Sequence, residues 1–203
     1  MGKIQDWSQA LLEAVSSLEN VILVGHSHGG MFALATPELE TRLRGLVLLN
    51  TAPDMTWQQE FAENTRHNPL RKAEELGEIY RKHPTNHALK EFTLAAAPHM
   101  FTKEGLNEGL KSLKELPYNC EALEWTEKHF DPTYQARWIP ARIPTLILSG
   151  SSDLVTPLKH FAKKLEFHSS NIVLREIKGA GHFPWIEKPE EIKAAFGEFL
   201  KKL

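Results

Sequence analysis

Three stretches of this chain carry residue types that could together activate a nucleophile: GHSHGG at residues 25–30, SGSSDLVTP at 149–157 and KGAGHFPWIEKP at 178–189. A serine hydroxyl attacks a carbonyl readily only when a base takes its proton, and an imidazole does so best when a carboxylate fixes its orientation. Ser27, Asp153 and His182 offer those three groups in that chain order. A second chemistry competes at the first stretch. His26 and His28 flank Ser27 and could both face one way on an extended strand as metal ligands. HSH continues as Gly29, Gly30 and Met31, however, with no further ligand, so the spacing favours a nucleophile over a metal.

The surrounding sequence supplies elements to hold these groups. Val21–Val24, Leu46–Leu49 and Thr145–Leu148 are short buried-strand runs, and Ile172–Ile177 is a fourth that alternates more. Apolar runs separated by helical patterns read as neighbouring strands of a mostly parallel sheet, so the fold class is α/β with flanking helices. Asp153 and His182 then fall in the loops after the third and fourth strands. Ser27 falls between the first strand and a helical run, with Gly25 and Gly29 at the small positions that G-x-S-x-G requires. Before the first strand, Trp7, Leu11, Leu12, Val15 and Leu18 recur at helical spacing, with Asp6 placed to cap that helix.

Residues 54–138 exceed what a crossover helix needs, and their patterns are helical: PLRKAEELGEIYRK, TKEGLNEGLKSLKEL and YNCEALEWTEKHF. They are expected to form a lid over a core made of residues 1–53 and 139–203, at the strand ends where open α/β sheets bind ligands. Asp54, after the second strand, is an alternative acid to Asp153.

Composition narrows the partners. With 203 residues, 41% hydrophobic and 25% charged, the chain suffices for one domain with a sizeable core. A formal net charge of -2 gives no electrostatic reason to expect nucleic acid or an anionic membrane. Lone Cys120 cannot form an intrachain disulfide, and the opening residues MGKIQDWSQ lack the apolar core of a signal peptide. A cytoplasmic protein acting on a small-molecule substrate is the expectation.

GHSHGG, the GSSD loop and GHFPWIEKPEE in this order resemble the lidded serine hydrolases of the α/β-hydrolase superfamily, over nearly the whole chain from Asp6 onward. The resemblance implies that Ser27 is the nucleophile, His182 the base and Asp153 the carboxylate that orients it. It also implies that the backbone N–H of His28 donates to the oxyanion and that no cofactor is needed. His26 and Phe183 are candidates to line the substrate pocket. The reaction implied is acyl transfer from a small ester, an amide or an activated carbon–carbon bond. The GHFPWIEKP loop also resembles proline iminopeptidases, although these carry a tryptophan where this chain has His28. In the family, four strands with their crossovers, on the order of 80 to 100 residues, precede the elbow strand, whereas twenty residues precede Val21 here. The expectation is therefore a truncated fold lacking the N-terminal strands and the second oxyanion donor. Such a chain would pair with another copy or with a missing N-terminal segment, or act as a weakly active or non-catalytic binding module.

Overall fold

The computed structural model describes residues 4–203; Met1, Gly2 and Lys3 of the opening stretch lie outside the described residues. Helix α1 (Trp7–Ser16) leads into β1 (Ile22–His26), α2 (His28–Leu34) and β2 (Gly45–Leu49). Asp6 does not cap α1 through its side chain, contrary to the sequence expectation. Ile4–Asp6 form a 3-10 turn, so Asp6 is not in the extended conformation from which a capping carboxylate reaches the free N–H groups.

A helical segment follows β2: α3 (Thr56–His67), α4 (Arg71–Lys82), α5 (Asn86–Ala96), α6 (Leu106–Glu115) and α7 (Cys120–Trp125). The three quoted helical patterns coincide with α4, α6 and α7. The chain then returns through β3 (Thr145–Gly150), α8 (Lys159–Ala162), β4 (Ile172–Ile177), α9 (Pro184–Glu187) and α10 (Pro189–Leu200). Among the described residues no helix is long and apolar enough to cross a membrane.

The four strands form one parallel sheet in the order β1-β2-β3-β4. Because successive side chains point to opposite faces, a strand covered on both sides must be apolar throughout. Leu46, Leu48 and Ile147 enter a core with Leu34, Leu39, Phe161 and Phe167, while Val47, Leu49, Leu146 and Leu148 enter another with Ala195 and Phe199. β1 lies at the edge of this sheet, and its Val24 is 46% exposed.

Parallel strands bring their carboxyl ends to one rim, so the residues after β1, β2, β3 and β4 meet there. The helical segment is tied to the same region. Ala136 N donates to Pro53 O at 2.7 Å, Trp138 Nε1 to Ala33 O at 2.9 Å, and His182 N to Met100 O at 2.7 Å.

Candidate active site

Ser27 occupies the single residue between β1 and α2 and adopts φ 51°, ψ -127°. A non-glycine residue at positive φ is strained, and here the turn packs Gly25 directly against Gly30. A Cβ at Gly25 would lie 2.7 Å from Gly30 Cα, so any side chain there would force the strand and helix apart. The serine is anchored from β2: Ser27 N donates to Leu49 O at 3.1 Å, and Thr51 Oγ1 donates to Ser27 O at 2.7 Å.

Asp153 and His182 are buried, and His182 Nδ1 lies 3.1 Å from both carboxylate oxygens of Asp153. A carboxylate only accepts, so the proton of this bond is on Nδ1 and Nε2 is left as the basic nitrogen. Asp153 Oδ1 also accepts from Val155 N (2.9 Å) and Thr156 N (3.3 Å). Its Oδ2 accepts from Asn50 Nδ2 (2.8 Å), Ser149 Oγ (3.2 Å) and Thr156 Oγ1 (3.2 Å). Burial alone would push this carboxyl up. The facing His182 and the hydrogen bonds from His182, Asn50 and Val155 outweigh it and hold Asp153 well below the ordinary carboxylate range.

The loops of Asp153 and His182 approach closely because residue 150 has no side chain. A Cβ there would sit 2.2 Å from Ala180 O and 2.3 Å from Gly181 O.

Asp54, the alternative acid, is turned elsewhere: Oδ1 accepts from Thr56 N (3.0 Å) and Oγ1 (2.6 Å), and Oδ2 pairs with Lys164 (2.8 Å). The two histidines flanking Ser27 diverge. His28 Nε2 meets Asp131 Oδ1 at 3.1 Å, a carboxylate from the helical segment, while His26 Nε2 donates to His182 O at 2.9 Å. The His26 ring packs 4.7 Å from that of His182, 5.0 Å from Phe183 and 4.7 Å from Trp185. Phe183 stacks on Phe101 at 4.9 Å, joining the histidine loop to the helical segment.

Burial first, and the neighbouring His182 second, hold His26 down to about 3, against an ordinary 6.5. As pH falls the unfolded chain therefore takes up this proton before the folded one. The stability contribution is complete above about pH 6.5 and is lost on the way to about pH 3, at up to ~1.4 kcal/mol per pH unit. Urea unfolding between pH 7 and 4 is expected to show this acid-side loss in the wild type and a shallower one in His26→Gln, which keeps a donor for His182 O but has no proton to gain. Identical slopes would refute the assignment.

Several contacts at this site come from residues the sequence did not single out. Asn50 reaches Asp153. Glu187 Oε2 accepts from Gly181 N at 2.6 Å, and its Oε1 accepts from Thr102 N at 2.8 Å and Thr102 Oγ1 at 2.6 Å, bracing the histidine loop. A polar residue ending the apolar run of β2 was the one visible sign of Asn50; Glu187 sat within the quoted histidine loop without a distinguishing pattern.

The model of the "Alpha/beta hydrolase family" matches residues 2–195. The chain is 28% identical over 193 residues to a protein of Mycoplasma pneumoniae provisionally named esterase/lipase 2, spanning 92% of this chain but only 65% of that protein. It is 26% identical over 211 residues to a proline iminopeptidase of Lactobacillus helveticus, spanning 95% of this chain and 69% of the relative. Among solved structures, an alpha/beta fold family hydrolase from Bacillus anthracis superposes with TM-score 0.74 at 19% identity, covering 97% of this chain and 72% of the other.

Proposed function

This chain belongs to the alpha/beta hydrolase family, and on that premise we propose that it cleaves a small ester through an acyl-enzyme on Ser27. The observation that carries the reading is the buried pair in which Asp153 holds His182 by Nδ1, on the same sheet rim as the strained turn of Ser27. In the forward step Ser27 Oγ attacks the carbonyl carbon and its proton passes to His182 Nε2. The oxyanion that forms accepts from the N–H of His28, which opens α2 and so has no partner within the helix. His182 then returns the proton to the leaving alcohol. Water, deprotonated by the same Nε2, releases the acid and restores Ser27.

The helical segment offers room for the substrate. A cavity of about 440 Å³, a size usual for ligand sites, has a mainly apolar lining that includes Phe61, Leu70, Phe92 and Ala96, with the charged Arg66, Glu74, Arg81 and Glu127 also on its wall. Neither Ser27, His28 nor His182 lines it, and packed aromatic rings link its wall to the residue after Ser27: His28 to Trp57 at 6.0 Å, Trp57 to Phe61 at 6.4 Å, and Phe61 to His99 at 6.1 Å. We read this cavity as the seat of the acyl chain. Ala96→Leu is then expected to lower kcat/KM about ten-fold for an octanoate ester while leaving the acetate ester within about two-fold. Equal effects on both chain lengths would remove the cavity from the substrate path.

The aminopeptidase reading is second, favoured by Glu127 on the cavity wall, whose carboxyl is raised by burial and by nearby Asp131 and which could meet a substrate amine. Faster cleavage of a proline arylamide than of any ester would select it. The test common to both readings is labelling with a fluorophosphonate: a mass adduct on Ser27 is expected, absent in Ser27→Ala. An unlabelled wild type would leave this chain a binding module on a hydrolase fold.

A further inference from the structure

We propose that Asn50 is the positioning residue of this site, setting the mutual register of the Ser27, Asp153 and His182 segments; the inference rests on the reading of those residues as a catalytic set. Asn50 stands one position beyond the end of β2, is 0% exposed and adopts φ 43°. Its Nδ2 faces three oxygens: Asp153 Oδ2 at 2.8 Å, Gly181 O at 3.1 Å and Ser149 Oγ at 3.2 Å. Ser149 has acceptors of its own in Asp153 Oδ2 and Thr156 O, both at 3.2 Å. The two amide protons are therefore free for the carboxylate of Asp153 and for the carbonyl immediately before His182. A single side chain thus spans the acid and the residue that leads into the base.

Its neighbours in sequence complete the arrangement. Leu49 O accepts from Ser27 N, and Thr51 Oγ1 donates to Ser27 O. Three consecutive residues, Leu49, Asn50 and Thr51, therefore bind the backbone of the nucleophile on one side and the acid and histidine loops on the other. The three loops follow three different strands, and their relative placement is fixed at the end of the strand between them.

The chemistry of the position selects an amide. An aspartate there would set a carboxylate oxygen against Asp153 Oδ2 at hydrogen-bond range, and two carboxylates so close cannot both stay ionised. A leucine would leave Gly181 O and one lone pair of Asp153 without this donor. Two unfavourable features accompany the arrangement: a left-handed backbone at a non-glycine residue, and an Oδ1 that is buried without a hydrogen-bond partner. Both accompany the Nδ2 contacts with Asp153 and Gly181.

Asn50→Gly separates the amide from the backbone, since glycine accepts this φ freely. Its kcat on p-nitrophenyl acetate is expected to fall about 10- to 100-fold, with KM within about two-fold. Asn50→Asp, which keeps the shape and reverses the hydrogen bond, is expected to fall at least as far at pH 7. In both variants the low-field proton resonance of His182 Nδ1–H should move, because its acceptor is displaced or recharged. A merely structural role would lower the unfolding temperature and leave the kcat of the folded protein and this resonance unchanged. Wild-type kcat and an unmoved resonance in Asn50→Gly would overturn the proposal. The resonance does not require turnover: if the wild type proves inactive while the resonance still moves, the hydrolase reading falls and the positioning by Asn50 stands.

Discussion

Ser27→Ala is expected to lower kcat on a small activated ester by at least ~10⁴-fold, the scale on which a covalent route is lost when its nucleophile is deleted. Stability should hardly change, because alanine meets the same steric penalty as serine at φ 51°. Ser27→Gly gives the complementary result. It loses the hydroxyl equally but relieves the left-handed backbone, and should raise stability by about 1 kcal/mol. Two equally inactive variants that differ in unfolding midpoint would mean that the strain at this turn is retained for the hydroxyl it presents. Retained esterase activity in either variant would remove Ser27 from the reaction. A glycine variant less stable than wild type would instead show that the turn is not strained.

This turn was legible in the sequence because its requirements are local. Glycines at 25 and 30, where a Cβ would collide, a preceding apolar run and a following helical one are all readable from adjacent positions, whereas a Cβ at Gly29 would meet nothing within 4 Å. The loops of Asp153 and His182 were legible for the same reason, the first following the fully buried run of β3 and the second the alternating run of β4, whose Glu176 is exposed. Contacts across the sheet are different. Asn50 meets Asp153 and Gly181 only because β2 lies between β1 and β3 and is in register with both. No pattern near residue 50 encodes that. The divergence of His26 and His28 was hidden likewise: adjacent to Ser27 on either side, one ending β1 and the other opening α2, they reach a carbonyl of the histidine loop and a carboxylate of the helical segment. The chain spans under two thirds of the Mycoplasma relative's length.

The surroundings of Asp153 make its replacement the severest test of the site after Ser27. Six donors converge on the two oxygens: His182 Nδ1, Asn50 Nδ2, Ser149 Oγ, Thr156 Oγ1 and the N–H groups of Val155 and Thr156. A carboxylate turns only acceptors toward them, whereas the amide of Asp153→Asn must turn an NH₂ toward one set. If NH₂ replaces Oδ1 it confronts the two backbone donors, and if it replaces Oδ2 it confronts Asn50. In either orientation His182 Nδ1 faces one oxygen fewer, and the imidazole is free to adopt the tautomer that leaves no base toward Ser27. A fall in kcat of about 10³- to 10⁴-fold is expected, with KM little changed. The folded state also suffers. Because the pair and its donors hold the Asp153 carboxyl below its ordinary 3.8, its ionised form adds stability that is present above about pH 4 and lost as pH falls. Asp153→Asn should therefore be less stable than wild type at pH 7, and the gap should narrow as pH is taken below 4. Urea titrations at both ends of that range check this, and a gap that widens on acidification would mean that the ionised carboxylate does not stabilise the folded chain.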